Sequence, residues 1–157
     1  MRLHARITTA LALLSGAALG LGAEAPGEDF SFTTRDGRQT TLYTEVAHMQ
    51  PDTQVWLLLF DPDCDDCREL ERKLQEDPAV NAGLADKTTA VIAVYPSDGV
   101  PEPDDPNLAS YLRACGELPA GWTVGIDNGS IFETDACRWE TLPLLLKFRA
   151  GETATPE

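Results

Sequence analysis

The residues whose types and spacing suggest chemistry most directly are Cys64-Asp65-Asp66-Cys67, two thiols separated by two acids. Just before them runs Val55-Trp56-Leu57-Leu58-Leu59-Phe60, an unbroken apolar stretch ending in Asp61-Pro62-Asp63, which reads as a strand buried on both faces of a sheet. From Cys64 the pattern turns helical, with Cys67, Leu70 and Leu74 on one stripe and Glu69 four residues before Lys73. A Cys-x-x-Cys at such a junction puts the first thiol at a helix N-terminus, exposed and near unpaired backbone N–H groups, and the second one turn inside. That arrangement suits thiol-disulfide exchange, with Cys64 as nucleophile and Cys67 as the thiol that resolves a mixed disulfide. The redox-active pair itself carries the electrons, so no cofactor is expected.

Other chemistries fit these residues less well. Structural zinc needs four ligands, yet Cys115 and Cys137 stand 22 positions apart and the only histidine after the first stretch of the chain is His48. Asp61-x-Asp63-x-Asp65 begins like a calcium loop, but Asp66 stands where such a loop needs Gly and Arg72 where it needs Glu. No metal is expected. A structural Cys64–Cys67 disulfide without turnover stays open as an alternative. Cys115 falls on an apolar helix face, where a free cysteine is usually a small core residue. Cys137 follows the polar Glu133-Thr134-Asp135-Ala136. The two are candidates for a second disulfide, although four cysteines permit three fully paired connectivities and spacing does not choose among them.

Asp61, Asp63, Asp65 and Asp66 surround Cys64 with carboxylates. Like charges disfavour a thiolate while the helix N-terminus favours it, so these four acids are candidates for tuning the nucleophile. A poorly stabilised thiolate leaves the dithiol less favoured and moves the couple away from the strongly oxidising end. A reductant or isomerase-like role is therefore expected. Asp65 and Asp66 also have a simpler use, as negative charges at a helix start.

The chain begins with an address. Arg2 and Arg6 precede an apolar, acid-free run from Ile7 to Leu21, and small residues follow at Gly22, Ala23 and Ala25. That is the pattern of a secretory signal peptide, residues 1–23, with cleavage placed after Ala23. The run is short of the ~20 residues a spanning helix needs, so no stable membrane insertion of the mature chain is expected. Residues 1–23 carry two Arg and no acid, so their removal takes the formal charge from −14 to −16. Nucleic acid and anionic membrane surfaces are poor partners for such a chain. All four cysteines lie beyond the signal and would enter an oxidising compartment, the periplasm or envelope of a bacterium.

After a lead-in at residues 24–29, residues 30–157 read as one α/β domain. Phe30 to Thr34 and Thr40 to Val46 are strand candidates around Asp36-Gly37, a β-hairpin. The helix from Cys64 should stop near Asp77-Pro78. Thr88 to Tyr95 is a second β-branched run, so strand, helix and strand complete a parallel crossover. Residues 96–106 read as a loop. Asp105-Pro106 opens a helix with Leu108, Tyr111, Leu112 and Cys115 on one face, ended by Gly116. Trp122 to Ile126 and Leu144 to Phe148 are further strands.

In this order the elements resemble the thioredoxin superfamily, particularly its exported TlpA/ResA-like branch and a related thioredoxin-like family of bacterial envelopes. The resemblance covers roughly Asp29 to Glu152. It rests on the Asp36-Gly37 hairpin, the run from Leu57 to Cys67, the stretch Leu118-Pro119-Ala120-Gly121-Trp122-Thr123-Val124-Gly125, and Leu142-Pro143 before the last strand. It implies a central mixed sheet flanked by helices, a cis Pro143 facing the cysteines, and a Leu142 backbone that hydrogen-bonds an extended substrate. It implies protein or peptide thiols and disulfides as partners, with a membrane or envelope electron donor. The departures are Leu58 in place of a buried acid, Asp63 in place of Trp, and Leu144 in place of Thr. The chain ends at Glu157 without the family's final helix, so exposed apolar surface is expected on one sheet face. These departures make a catalytically weak or inert thioredoxin-fold binding module of the envelope the competing expectation.

Overall fold

A computed structural model of the chain describes residues 20–22, 25–97, 111, 113, 116–127, 129, 131 and 142–153. Its strands are β1 (Gly20–Gly22), β2 (Ser31–Thr34), β3 (Gln39–Thr41), β4 (Gln54–Leu59), β5 (Thr89–Tyr95), β6 (Thr123–Asp127) and β7 (Leu144–Arg149). Its helices are α1 (Leu42–Ala47), α2 (Asp65–Glu76) and α3 (Pro78–Asp86), and a 3₁₀ turn at Ala150–Glu152 follows β7. The strands form one sheet in the order β1-β7-β4-β5-β6-β2-β3. β4, β5 and β6 run parallel, while β7 and β2 lie antiparallel to β4 and β6.

β4 is interior, as its apolar run requires. Val55, Leu57 and Leu59 enter one core with Phe30, Phe32, Leu42, Ile92 and Phe148. Leu58 enters the other with Cys67, Leu70, Leu74, Val91, Trp122 and Leu145. The second core is where α2 packs, so the inner face of the cysteine helix is fixed against the sheet. On that same face the half-buried Trp56 carries the Lys147 ammonium 3.8 Å from its ring centroid. Burial lowers the pKa of that ammonium, and the cation–π contact occupies apolar surface beside β7.

The hairpin is shorter than the sequence suggests. Gly37 turns it at φ 83°, with Gly37 N–H donating to the Thr34 carbonyl and Thr34 N–H to that of Arg38. Strand pairing then stops at Thr41, and Leu42–Ala47 is helical instead of continuing the expected strand to Val46. The reason is local. Thr41 Oγ1 accepts from Thr44 N–H at 3.1 Å as an N-cap, and Leu42 and Val46, four apart, are both buried on one helix face. A second helix, α3, was not expected after Pro78. Asp77 Oδ1 accepts from Ala79 and Val80 N–H, and Pro78 takes the first helical position, so the residues that end α2 begin α3.

β5, β6 and β7 fall where the sequence places them. Tyr111, Arg113 and Gly116 are helical, and so is Glu117 beyond the expected end at Gly116; the remainder of the expected helix, including Cys115, lies outside the described residues. Gly20–Gly22, within the stretch read as a signal, pairs in parallel with Leu144–Leu146 at the sheet edge. No helix among the described residues is long and apolar enough to cross a membrane.

Candidate functional site

Asp61, Pro62 and Asp63 carry the chain from β4 into α2 by a tight turn. Asp61 Oδ1 accepts from Asp63 N–H at 2.8 Å, and the Asp61 carbonyl accepts from Cys64 N–H at 3.1 Å. Cys64 is the N-cap of α2, and its sulfur accepts from Cys67 N–H at 3.1 Å. One of the orphan N–H groups of the helix start therefore points at the sulfur of the candidate nucleophile.

Cys64 is partly exposed, whereas Cys67 is fully buried. The Cys67 sulfur accepts from Asp61 N–H at 3.4 Å. Burial pushes the Cys67 thiol far above its ordinary range, the Cys64 sulfur and the Glu71 carboxylate push it the same way, and only the Asp61 N–H opposes them. The two thiols thus face opposite conditions three residues apart.

Across from them the Leu142–Pro143 peptide is cis, Pro143 is buried and Leu142 is half-buried. The Cys64 thiol points to the Leu142 carbonyl at 3.8 Å. The structure therefore brings Cys64, Cys67, Leu142 and Pro143 together from two separate stretches of chain. Asp61, Asp63, Asp65 and Asp66 all lie at the mouth. Asp61 holds the turn, Asp63 and Asp66 are exposed, and Asp65, with a 93% exposed side chain, pairs with Arg68 at 2.6 Å. Cys115 and Cys137 lie outside the described residues, and among the described residues no cluster of ligating side chains could hold a metal.

Two further residues, one on α2 and one in the hairpin turn, have environments that sequence pattern does not point to. Glu71 stands four residues past Cys67 on α2, and its Oε1 is buried without a hydrogen-bond partner. Burial, reinforced by the Glu117 carboxylate and opposed by Arg68, pushes the Glu71 carboxyl up to about 7. A charged residue on the Cys67, Leu70, Leu74 stripe was the available signal. The second is Arg35, whose guanidinium donates to the carbonyls of Leu118, Pro119 and Trp122 at 3.1, 2.8 and 3.0 Å, tying the hairpin turn to the segment that enters β6. Sequence carries no signal for a contact over more than eighty positions.

A cysteine pair at the strand-to-helix junction, opposite a cis proline that precedes an antiparallel strand, is the arrangement of a thioredoxin-like fold, and the fold comparison agrees. A thioredoxin-like protein from Bacteroides caccae superimposes with a TM-score of 0.66 at 24% identity, over 85% of this chain and 43% of that one. A conserved protein of unknown function from Bacteroides fragilis gives 0.67 at 22% identity, over 84% and 88%. The thioredoxin domain of a thiol-disulfide oxidoreductase from Bacteroides vulgatus gives 0.62 at 14% identity, over 85% and 86%. No family model and no curated protein matches the sequence.

Proposed function

We propose that the chain is an exported thiol-disulfide oxidoreductase of the bacterial envelope, of the TlpA/ResA-like kind, in which Cys64 attacks and Cys67 resolves. The observation that carries this is the contrast between a partly exposed Cys64 sulfur, held by a helix-start N–H opposite Leu142 and the cis Pro143, and a fully buried Cys67 beside it. The fold shared with the Bacteroides vulgatus oxidoreductase domain supports the same chemistry.

In the reductive direction the Cys64 thiolate attacks one sulfur of a protein or peptide disulfide, and the first substrate thiolate leaves. The mixed disulfide then lies along Leu142, whose backbone pairs with the extended substrate strand. Cys67, as thiolate, attacks the Cys64 sulfur, the second substrate thiol is released, and the Cys64–Cys67 disulfide carries the two electrons' worth of oxidation. An envelope electron donor re-reduces it. Four acids, Asp61, Asp63, Asp65 and Asp66, stand around the Cys64 sulfur where a positively charged neighbour would favour a strong oxidant, and the role proposed for the couple is that of a reductant or isomerase.

The test is a turnover assay. The reduced protein should accelerate reduction of a disulfide-bonded peptide, and Cys64→Ser should bring the rate to that of the uncatalysed reaction. Equal rates for Cys64→Ser and wild type would reject the proposal.

A further inference from the structure

Resolution by Cys67 poses a problem that the mouth of the site does not solve. Only a thiolate attacks a disulfide, and Cys67 is buried where its thiol holds the proton strongly. A base must stand within the protein on the buried side. Leu58 on β4, packed in the same core as Cys67, offers none. Asp61 has a carboxylate oxygen engaged by Asp63 N–H, and Asp65 and Asp66 face water.

Resting on the exchange reaction proposed above, we infer that Glu71 is the proton acceptor for Cys67, taking the thiol proton as the buried sulfur attacks the Cys64 mixed disulfide and returning it when the pair is reduced. Three observations carry this. Glu71 and Cys67 are four residues apart on α2 and so lie one above the other on one helix stripe. Glu71 Oε1 is buried with no hydrogen-bond partner among the described residues, an arrangement that costs stability and that a purely structural role leaves unexplained. The Glu71 carboxylate adds to the burial that raises the proton affinity of the Cys67 thiol.

The groups facing Glu71 are Cys67 and Arg68 on its own helix and Glu117 from the segment before β6. Arg68 favours the carboxylate, while Glu117 and burial favour the acid. The balance puts the midpoint at about 7, so near neutral pH the group is part carboxylate and can accept a proton, and part acid and can give one back. The step balances as follows. The Cys67 S–H bond breaks and a Glu71 O–H bond forms; the Cys67–Cys64 S–S bond forms and the Cys64–substrate S–S bond breaks; the substrate thiolate leaves and takes a proton from water. Glu71 thus carries the proton, and the sulfurs do the electron transfer.

The test follows the two steps separately in the reduced full-length protein. It is mixed with 5,5'-dithiobis(2-nitrobenzoate), quenched with acid at intervals, and the peptide carrying Cys64 and Cys67 is weighed. Wild type should show a Cys64 adduct that forms and then decays to the Cys64–Cys67 disulfide, with a decay rate that levels off above a midpoint near 7. In Glu71→Gln the adduct should form at the wild-type rate and decay at least ten-fold more slowly at pH 7, with a rate still climbing in the alkaline range. Glu71→Asp should recover part of the rate and keep the levelling. Decay in Glu71→Gln with the wild-type rate and pH profile would overturn the inference while leaving the exchange reading intact. Absence of any Cys64 adduct in wild type would overturn the exchange reading, and the inference with it. Should Glu71→Gln fail to fold, the carboxyl ¹³C titration of Glu71 in wild type decides. A midpoint near 7 that moves on oxidation of the pair supports the inference, and one in the ordinary carboxylate range, or unmoved by oxidation, overturns it.

Discussion

At the mouth of α2, Asp63, Asp65 and Asp66 stand in water, and Asp65 is paired with Arg68. One turn further in, on the stripe that faces the sheet, Cys67 is fully buried and Glu71 has an oxygen with no partner. The mouth holds more carboxylates, yet it is on the inner stripe of α2 that burial raises the proton affinity of both the Cys67 thiol and the Glu71 carboxyl. Solvent screens the first set and burial exposes the second to every neighbouring charge. Sequence position alone marks the acids at the mouth and passes over the one on the inner stripe.

Removal of the inner thiol should have the largest effect. Cys67→Ser should accumulate mixed disulfides with substrate and lose about three orders of magnitude in turnover, equivalent to ~4 kcal/mol; trapping followed by gel electrophoresis with and without reductant reads it. The next effect is on packing. Leu70, 5% exposed on the inner stripe, should cost about 2–4 kcal/mol of stability as Leu70→Ala, measured by denaturant unfolding of the reduced protein.

Glu71→Gln should act in the opposite sense and depend on pH. The folded protein binds the Glu71 proton more tightly than the unfolded chain, whose ordinary value is 4.5, so the native carboxylate is the destabilised form. Stability is lost as pH rises from about 4.5 through 7. Glu71→Gln should therefore gain on wild type by roughly 1–2 kcal/mol at pH 8 and by nothing at pH 4, the figure being reduced because the side chain is partly solvated. A gain of the same size at both pH values would mean that the carboxyl is not displaced. The smallest effect belongs to the mouth. Asp65→Asn with Asp66→Asn should lower stability by less than about 1 kcal/mol, since exposed acids at a helix start contribute little. If this pair of changes outweighs Glu71→Gln, the contrast between mouth and interior fails.

The parts legible in the sequence were those with local patterns. The apolar run of β4 followed by Cys64 and Cys67 announces a strand-to-helix junction, whereas Leu142-Pro143 as the wall opposite follows only from the resemblance to thioredoxin-like proteins. α1 was misread because Leu42, Thr44 and Val46 satisfy a two-residue alternation as well as a helical one, and β-branched residues bias the choice toward strand. The cap at Thr41 decided it. α3 goes unpredicted because Pro78 reads as a stop, although Asp-Pro is also a helix start. Glu71 was hidden by reading its stripe for apolar residues. Arg35 could be placed only by the fold, since its partners are distant carbonyls.

Close approach in the sheet gives one further check on the frame that holds the site. A Cβ at Gly125 would stand 2.5 Å from Phe32 Cδ2 and 2.8 Å from the Thr33 carbonyl oxygen, where β2 pairs with β6. Gly125→Ala should cost about 1–3 kcal/mol by thermal unfolding while leaving the order of thiol reactivity unchanged.

The central claim is that Cys64 is the reactive thiol and Cys67 its buried partner. The most direct measurement is competitive alkylation of the fully reduced protein with limiting iodoacetamide at pH 7, followed by peptide mapping. The account predicts that Cys64 is modified first and that Cys67 stays unmodified until the protein is unfolded. Labelling of Cys67 ahead of Cys64 in the folded protein, or equal rates at both, would contradict it.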